Sequence, residues 1–334
     1  MPPLHRLNLA DRGISMDIDS LDRDARLEIV ASIADLYYNQ KCTKVELAER
    51  FSTTRFKVAK LLQEAEDEQI VEIRVNHPGS RNHALERRLC ESFPLKKAIV
   101  VDTKLVSYVD GLMHIGQAGA TRLIELLRED ATIGLTWGKS IQSAVCQLPH
   151  SANRGVKTVQ LVGNFASLRP TSESRELVKC VSAAYSGEAY YLNAPLYVRS
   201  DEVRAGLAQE PDIARTLDVA RRLDVVLTGV GASSSLPTNN VLFRDYLTEE
   251  ELAHPASYPG SLFGYVLDAK GEIADVSLNR RIMGASIEDI VRAPHRLAIS
   301  SGRNKVEINR VVVEKGLINE LITDAETATL MLAM

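Results

Sequence analysis

The sequence predicts an α/β protein in two parts, a small all-α head followed by a doubly wound, mostly parallel α/β domain. Three observations carry this expectation. Over residues 21–68 the apolar residues recur at helical spacing. From residue 97 onward strand-like and helix-like stretches alternate, as they do where crossover helices join parallel strands. At 334 residues, the chain is also longer than one small core requires and suits two domains.

The first 20 residues, "MPPLHRLNLADRGISMDIDS", carry acids and lack the apolar stretch of a secretory signal, so they read as a mobile tail. No apolar run approaches the roughly 18–20 residues that span a bilayer, and no membrane partner is expected. The cysteines Cys42, Cys90, Cys146 and Cys180 form no C-x-x-C pair. That argues against a zinc site or a disulfide framework and fits a reducing cytoplasm. Cys146 and Cys180 fall on apolar helical stretches and are expected to be buried. His114, His150, His254 and His295 lie far apart, so neither a metal nor another cofactor is expected. A net charge of −4 gives no global basic signature, so contact with nucleic acid would need a local patch.

Within the head, residues 21–75, Leu27, Val30, Ile33, Ala34 and Tyr37 mark the buried stripe of a first helix. Thr43 followed by Glu46 matches a capping box, which starts a second helix with Leu47, Ala48 and Phe51 inward. After the turn "STT", Val58, Leu61, Leu62 and Ala65 sit at i, i+3, i+4 and i+7, the core face of a third helix. Its opposite face holds Phe56, Lys60 and Gln63 in line, flanked by Arg55 and Lys57. Two helices joined by a short turn, the second basic outside, make a helix-turn-helix arrangement able to enter a major groove. The candidate DNA-contacting residues are Lys44, Thr53, Thr54, Arg55, Phe56, Lys57, Lys60 and Gln63. Residues 50–63 hold four cations and no acid, although residues 21–75 carry nine Lys/Arg against eleven Asp/Glu. Such a head should bind weakly alone and need a dimer or tetramer to sum its contacts. "QIVEIRV" at 69–75 alternates like a strand and is expected to form a wing.

Residues 76–83, "NHPGSRNH", have the composition of a linker. Beyond them the expected strands are "KAIVVD", "ATIGLTW", "KTVQLVG", "AYYLNAP", "DVVLTGVG", "GYVLD", "RLAISSG" and "ELITD". Helices are expected over 110–128, 139–148, 173–186 and 304–315. Asp324 is expected to cap the helix that follows it. Parallel sheets bind ligands beyond the carboxyl ends of their strands. Three loops there are rich in small and polar residues: Thr136, Gly138, Lys139 and Ser140; Gly229 and Gly231; and Gly302, Arg303 and Lys305. Glycines allow close backbone approach, and the cations suit an anionic small molecule. None of these loops matches the G-x-x-x-x-G-K-[ST] phosphate loop. Trp137 reads as packing or as a pocket wall.

The run "ADLYYNQKCTKVELAERFSTTRFKVAKLLQEAEDEQIVEIRV" resembles the opening domain of the SorC family of bacterial sugar-responsive transcriptional regulators. "GLTWGKS", "VQLVGN", "YLNAP", "LTGVG", "LDAKGEI", "ISSGRNK" and "ELITDAETA" follow in the order of that family's effector domain, over residues 84–334. The departures are Ser52, Asn164 and Ser301 where glycine is common, and Lys60 where arginine is common. The resemblance implies operator DNA as one partner and a sugar, polyol or sugar phosphate as the other. It assigns the "WGKS" and "SGRNK" loops to the anionic group and Asn164, Asn193 and Asp268 to hydroxyl contacts. It implies a cytoplasmic regulator of a carbohydrate or polyol operon that is not an enzyme. A sugar-phosphate isomerase or deaminase with an accessory helical module is the alternative, and a protein-interaction adaptor a third reading.

Overall fold

The structure is a computed structural model that describes residues 21–71, 81–103, 107–149, 155–164, 173–237, 246–249 and 258–334. The chain divides into two compact units, residues 1–77 and 78–334.

In the first unit, α1 (Arg23–Tyr38) is capped by Asp22, whose side chain accepts from the Ala25 amide. Helix α2 (Lys44–Arg50) begins with the expected capping box. The Glu46 amide donates to Thr43 Oγ1 at 3.2 Å, and the Thr43 amide donates to Glu46 Oε2 at 2.7 Å. Helix α3 (Arg55–Asp67) is capped by Thr54, which accepts from the Lys57 amide. The inward face of α3 is Val58, Leu61, Leu62 and Ala65, all buried against Val30, Ile33, Leu47 and Ala48. Ile29 and Leu36 join that core, widening the α1 stripe beyond its expected positions. The expected strand at 69–75 is described only over Gln69–Val71, which form a turn end without strand pairing; residues 72–75 lie outside the described residues.

The turn between α2 and α3 reverses at Ser52, whose φ is +48°. A side chain there strains the backbone by about 1 kcal/mol, a cost glycine avoids. Ser52→Gly should therefore raise the local stability of this unit by less than about 1 kcal/mol, because the strain relieved is partly offset by glycine's greater freedom in the unfolded chain. Slower hydrogen exchange at α2 and α3 amides would show it; faster exchange would contradict it.

The second unit opens with α4 (His83–Ser92) and β1 (Lys97–Val101). The end of the compositional linker is already part of this fold. Arg81 bridges to Val101 and pairs with Glu86 at 2.8 Å, while Glu86 accepts from the Val100 amide. There follow α5 (Tyr108–Leu126), β2 (Thr132–Leu135), α6 (Lys139–Val145), β3 (Lys157–Gln160), α7 (Ser174–Ala184) and β4 (Ala189–Tyr190). Next come α8 (Asp201–Leu207), α9 (Pro211–Ala220), β5 (Val225–Thr228) and β6 (Val230–Ala232). The chain continues through β7 (Gly260–Leu262), β8 (Tyr265–Leu267), α10 (Ser277–Arg280), α11 (Ile287–Val291) and β9 (His295–Ile299). It ends with α12 (Val306–Glu314), β10 (Glu320–Asp324) and α13 (Ala325–Ala333).

Seven described strands form one parallel sheet in the order β1-β10-β9-β5-β2-β3-β4. Successive residues face opposite sides, and both sides are buried. Ile99, Ile133, Leu135, Leu227 and Ile299 pack with the apolar residues of α5, α6 and α7. Val100, Val226, Ala298 and Leu321 face the other layer, with α4, α12 and α13. Strands β6, β7 and β8 form a separate antiparallel sheet on that second side. Cys146 and Cys180 are exposed, contrary to expectation. Cys146 follows the last turn of α6, and Cys180 lies on the outward side of α7, where Val178 and Val181 take the core positions.

The chain leaves β2 toward β3 and β4 but leaves β5 toward β9 and β10. The crevice of a doubly wound sheet therefore opens between the carboxyl ends of β2 and β5. At the opposite end a buried charge network joins three elements. Glu320, 1% exposed, accepts from Arg122 Nε at 2.6 Å and lies 2.7 Å from His295 Nδ1. Arg122 also reaches Glu125, which pairs with Lys97.

Candidate effector site and nucleic-acid interface

At the mouth of the β2–β5 crevice, Thr136 Oγ1 and Thr228 Oγ1 lie 3.0 Å apart and close its floor. Gly138 follows with φ +135°, and a Cβ there would face open space. Only glycine holds that backbone without strain, so the loop turns sharply and lifts Lys139 to the rim. Two strands away, Gly302 makes the same kind of turn with φ +113°. Its amide is held by Thr327 Oγ1 at 2.8 Å and Asp324 Oδ2 at 3.2 Å. Asp324 also accepts from the Thr327 amide, so the expected helix cap doubles as the anchor of the "SGRNK" loop.

The two loops place Lys139 and Lys305 near enough for the charge of one to act on the other. Burial holds the Lys305 ammonium well below the usual lysine range, and the positive charge of Lys139 lowers it further. Strands β2 and β9 are separated by β5 alone, about 10 Å at the loops, a gap two lysine side chains span. Neither lysine has a carboxylate partner among the described residues. Two cations near one another with no counter-charge leave a locally positive surface at the crevice. Arg303, by contrast, faces outward and pairs with Glu326 at 2.5 Å.

The other expected residues divide. Ser140 is the second residue of α6, after Lys139. Gly229 backs onto the Trp137 carbonyl, which a Cβ would meet at 3.5 Å, and the Trp137 ring lies against Gly264 in the β7–β8 turn. Trp137 is thus a wall of the crevice. Gly231 lies inside the small sheet, where a Cβ would strike Ser261 Oγ at 2.4 Å, so its role is close packing. Asn164 is committed to the frame: its Oδ1 accepts from Gln160 Nε2 at 2.9 Å, and its Nδ2 approaches the Leu192 carbonyl. Asn193 is exposed beyond β4 and accepts from Arg175 Nη1 at 2.9 Å. It stands four strands from β9, roughly 19 Å at sheet spacing, too far to share a small ligand with Lys305. Asp268 is not brought to the crevice. Its carboxylate accepts from the Lys270 and Glu272 amides in a turn beside Lys315, one helix length from Lys305.

Two residues escaped the sequence reading. Gln160, 1% exposed, donates to the Val162 carbonyl, Asn164 and Ser174 and accepts from the Leu192 amide, fixing the loops after β3 and β4. A lone glutamine ending an apolar strand was the available signal. Arg175 stacks over Tyr191 at 4.5 Å, which nothing in its spacing announced. Two open clefts lie at the amino ends of the strands instead, one beside Asp224 and His295, the other beside Lys157 and Arg215. In the latter, Arg215 and Arg221 pair with Asp212 and Asp218, and Lys157 and Arg222 also line the cleft. Among the described residues no cluster suits a metal ion, and no helix is long and apolar enough to cross a membrane.

In the first unit, the acids that trouble the charge balance are engaged on the far side from the α3 cations. Arg26 holds Glu64 with two bonds of 2.7 Å, Arg23 holds Glu68, and Tyr38 donates to Glu66. Arg55, Phe56 and Lys60 are exposed on one side of α3, with Thr54 at its start. Thr53 and Lys57 are half-buried, Gln63 donates to Asp67 at 3.2 Å, and Lys44 lies over the Tyr37 ring at 5.6 Å.

Residues 77–333 match the family model described as "Putative sugar-binding domain". The chain is 26% identical over 311 residues to the deoxyribonucleoside regulator of Bacillus subtilis, covering 92% of this chain and 98% of that one. It is 25% identical to the sorbitol operon regulator of Klebsiella pneumoniae, covering 92% and 98%. The crystal structure of that full-length sorbitol operon regulator, SorC, superposes with a TM-score of 0.73 at 26% identity, again over 92% and 98%. The chain belongs to the SorC family of sugar-binding transcriptional regulators. As in the full-length SorC structure, this member's match runs through both the helical head and the parallel α/β domain. Its curated relatives are transcriptional regulators, and it is a DNA-binding regulator with a sugar-type effector domain.

Proposed function

We propose that this SorC-family regulator controls a carbohydrate or polyol operon, and that its effector is a phosphorylated or otherwise anionic sugar or polyol bound in the β2–β5 crevice. The observation that carries this reading is the Lys139–Lys305 pair, two converging cations with no carboxylate partner among the described residues. Thr136, Gly138, Ser140, Gly229 and Gly302 complete the cradle, with Trp137 as its wall. An isomerase or deaminase would need a free acid/base at this site. The nearby carboxylates of Asp324 and Glu326 are engaged with Gly302, Thr327 and Arg303, which supports a binding rather than a catalytic role.

The head offers Thr54, Arg55, Phe56 and Lys60 to operator DNA, with Lys44, Thr53, Lys57 and Gln63 as flanking contacts. With a net charge of −2 over residues 21–75, one head holds DNA poorly, so the working form is a homodimer or homotetramer in the cytoplasm. Ligand then alters operator affinity by favouring one arrangement of heads, a coupling worth about 1–3 kcal/mol.

A thermal-shift and calorimetric screen of sugars, polyols and their phosphates tests the effector class. Stabilisation by phosphorylated members is expected; stabilisation only by uncharged sugars would contradict the anionic assignment. Binding an anion should raise the depressed Lys305 ammonium and so take up protons. Affinity should fall as pH rises through the lowered pKa of free Lys305, and the enthalpy should vary with buffer ionisation heat. Replacing both Arg55 and Lys60 with alanine should weaken DNA binding and lower the slope of log K against log salt by about 0.9 for each phosphate no longer neutralised. An unchanged slope and affinity would exclude this face.

A further inference from the structure

Phe56 is 73% exposed, the most exposed of the large apolar side chains described in the first unit. It packs in no part of that unit's core, whose α3 contribution is complete with Val58, Leu61, Leu62 and Ala65 on the opposite side. Leaving a phenylalanine in water forgoes about 2 kcal/mol of burial, so the position is unexplained by folding. It is the second residue of α3, and helical side chains lean toward the amino end, which places the ring at the tip of the helix. The Arg55 guanidinium lies 5.0 Å from the ring centroid. The aromatic face therefore orders the neighbouring cation, and the ring edge stays outward. Residues 50–63 contain Arg50, Arg55, Lys57 and Lys60 and no acid, so the surface around the ring is complementary to a polyanion.

A phenyl ring has no hydrogen bond to offer a base edge. The apolar feature that the major groove presents is the 5-methyl group of thymine. We propose that Phe56 reads thymine methyl groups, so that each operator half-site carries a thymine, or another 5-methylated pyrimidine, opposite the tip of α3. This rests on the reading of the chain as a DNA-binding regulator. It divides the labour on α3: Arg55 and Lys60 meet guanine and phosphate, and Phe56 sets the base preference at the adjacent position.

The test uses the full chain and a random-sequence duplex pool. Repeated selection with the native protein should enrich a half-site with a fixed thymine position, and selection with Phe56→Ala should lose preference at that position. In the enriched duplex, replacing that thymine with uracil removes only the methyl group. The native protein should then bind about fourfold more weakly per methyl removed, with the salt slope unchanged. Phe56→Ala should bind both duplexes equally, and Phe56→Leu, which keeps an apolar reach, should recover part of the discrimination. Enrichment without a Phe56-dependent thymine, or equal native binding of the thymine and uracil duplexes, would overturn the proposal while leaving the DNA-binding reading intact. No enrichment by the native protein would overturn both.

Discussion

Replacing Lys305 with methionine should abolish the response to an anionic effector while leaving the free protein at least as stable as the native one. The two halves of this result have one cause. In the ligand-free fold, burial and the charge of Lys139 both work against the Lys305 cation, so removing it relieves a cost. In the proposed complex the same cation would meet the ligand's negative charge in a partly dehydrated crevice. Truncating one partner of such a pair costs about 2–4 kcal/mol, or roughly 30- to 1000-fold in affinity. DNA affinity without effector should stay within about twofold. Calorimetry with the responsive sugar phosphate, thermal denaturation and DNA titration read the three quantities separately. A protein that loses stability and keeps ligand affinity would place Lys305 in the frame rather than in the site.

Replacing Glu320 with alanine should be the most destabilising single change at the amino end of the sheet. Its carboxylate lies on β10 between α5 and β9, held by Arg122 Nε and Nη2, at 2.6 and 3.0 Å, and by His295. Burial alone would push this carboxyl up, but the bonds from Arg122 and His295 outweigh it and hold it below the usual carboxylate range. Removing it leaves Arg122, 14% exposed, with the half-exposed Glu125 as its remaining carboxylate partner, a loss of about 3–5 kcal/mol. For a domain of this size that corresponds to a fall in Tm of roughly 6–20 °C. The sign of the pH dependence follows. A depressed carboxyl stabilises above its unfolded pKa, about 4.3, and that stability is lost as pH falls through the folded value. The gap between native and Glu320→Ala proteins should therefore be full near neutrality and close in acid. A constant gap would show that packing rather than charge carries the effect.

Much of this architecture was legible because local rules and tertiary packing agree. The Thr43–Glu46 box and the apolar face of α3 each fix local structure from a few neighbouring residues. The β-branched runs at 97–101, 225–228 and 320–324 became strands of the parallel sheet for the same reason. Strand β7, a three-residue stretch with glycine at its start, is held by pairing with β6 and β8 rather than by its own propensity, so nothing local marked it. The pairing of the Lys139 and Lys305 loops came from the family resemblance and not from spacing, since it depends on β5 lying between β2 and β9. Asn164 and Asp268 show the converse. Polar side chains at loop positions read as ligand contacts, but their hydrogen-bonding capacity is spent on Gln160 and on a turn. Cys146 and Cys180 read as buried because their helices are apolar, although the residues beside them take the inward positions.

The central claim is that occupancy of the crevice sets the affinity of the head for DNA. The most direct measurement is a fluorescence-anisotropy titration of the selected duplex, with and without the stabilising sugar phosphate, for the native protein and Lys305→Met. The expected result is a change of about 5- to 150-fold in the native Kd and none in the variant. Unchanged native affinity at saturating ligand, or turnover of the sugar phosphate, would contradict it.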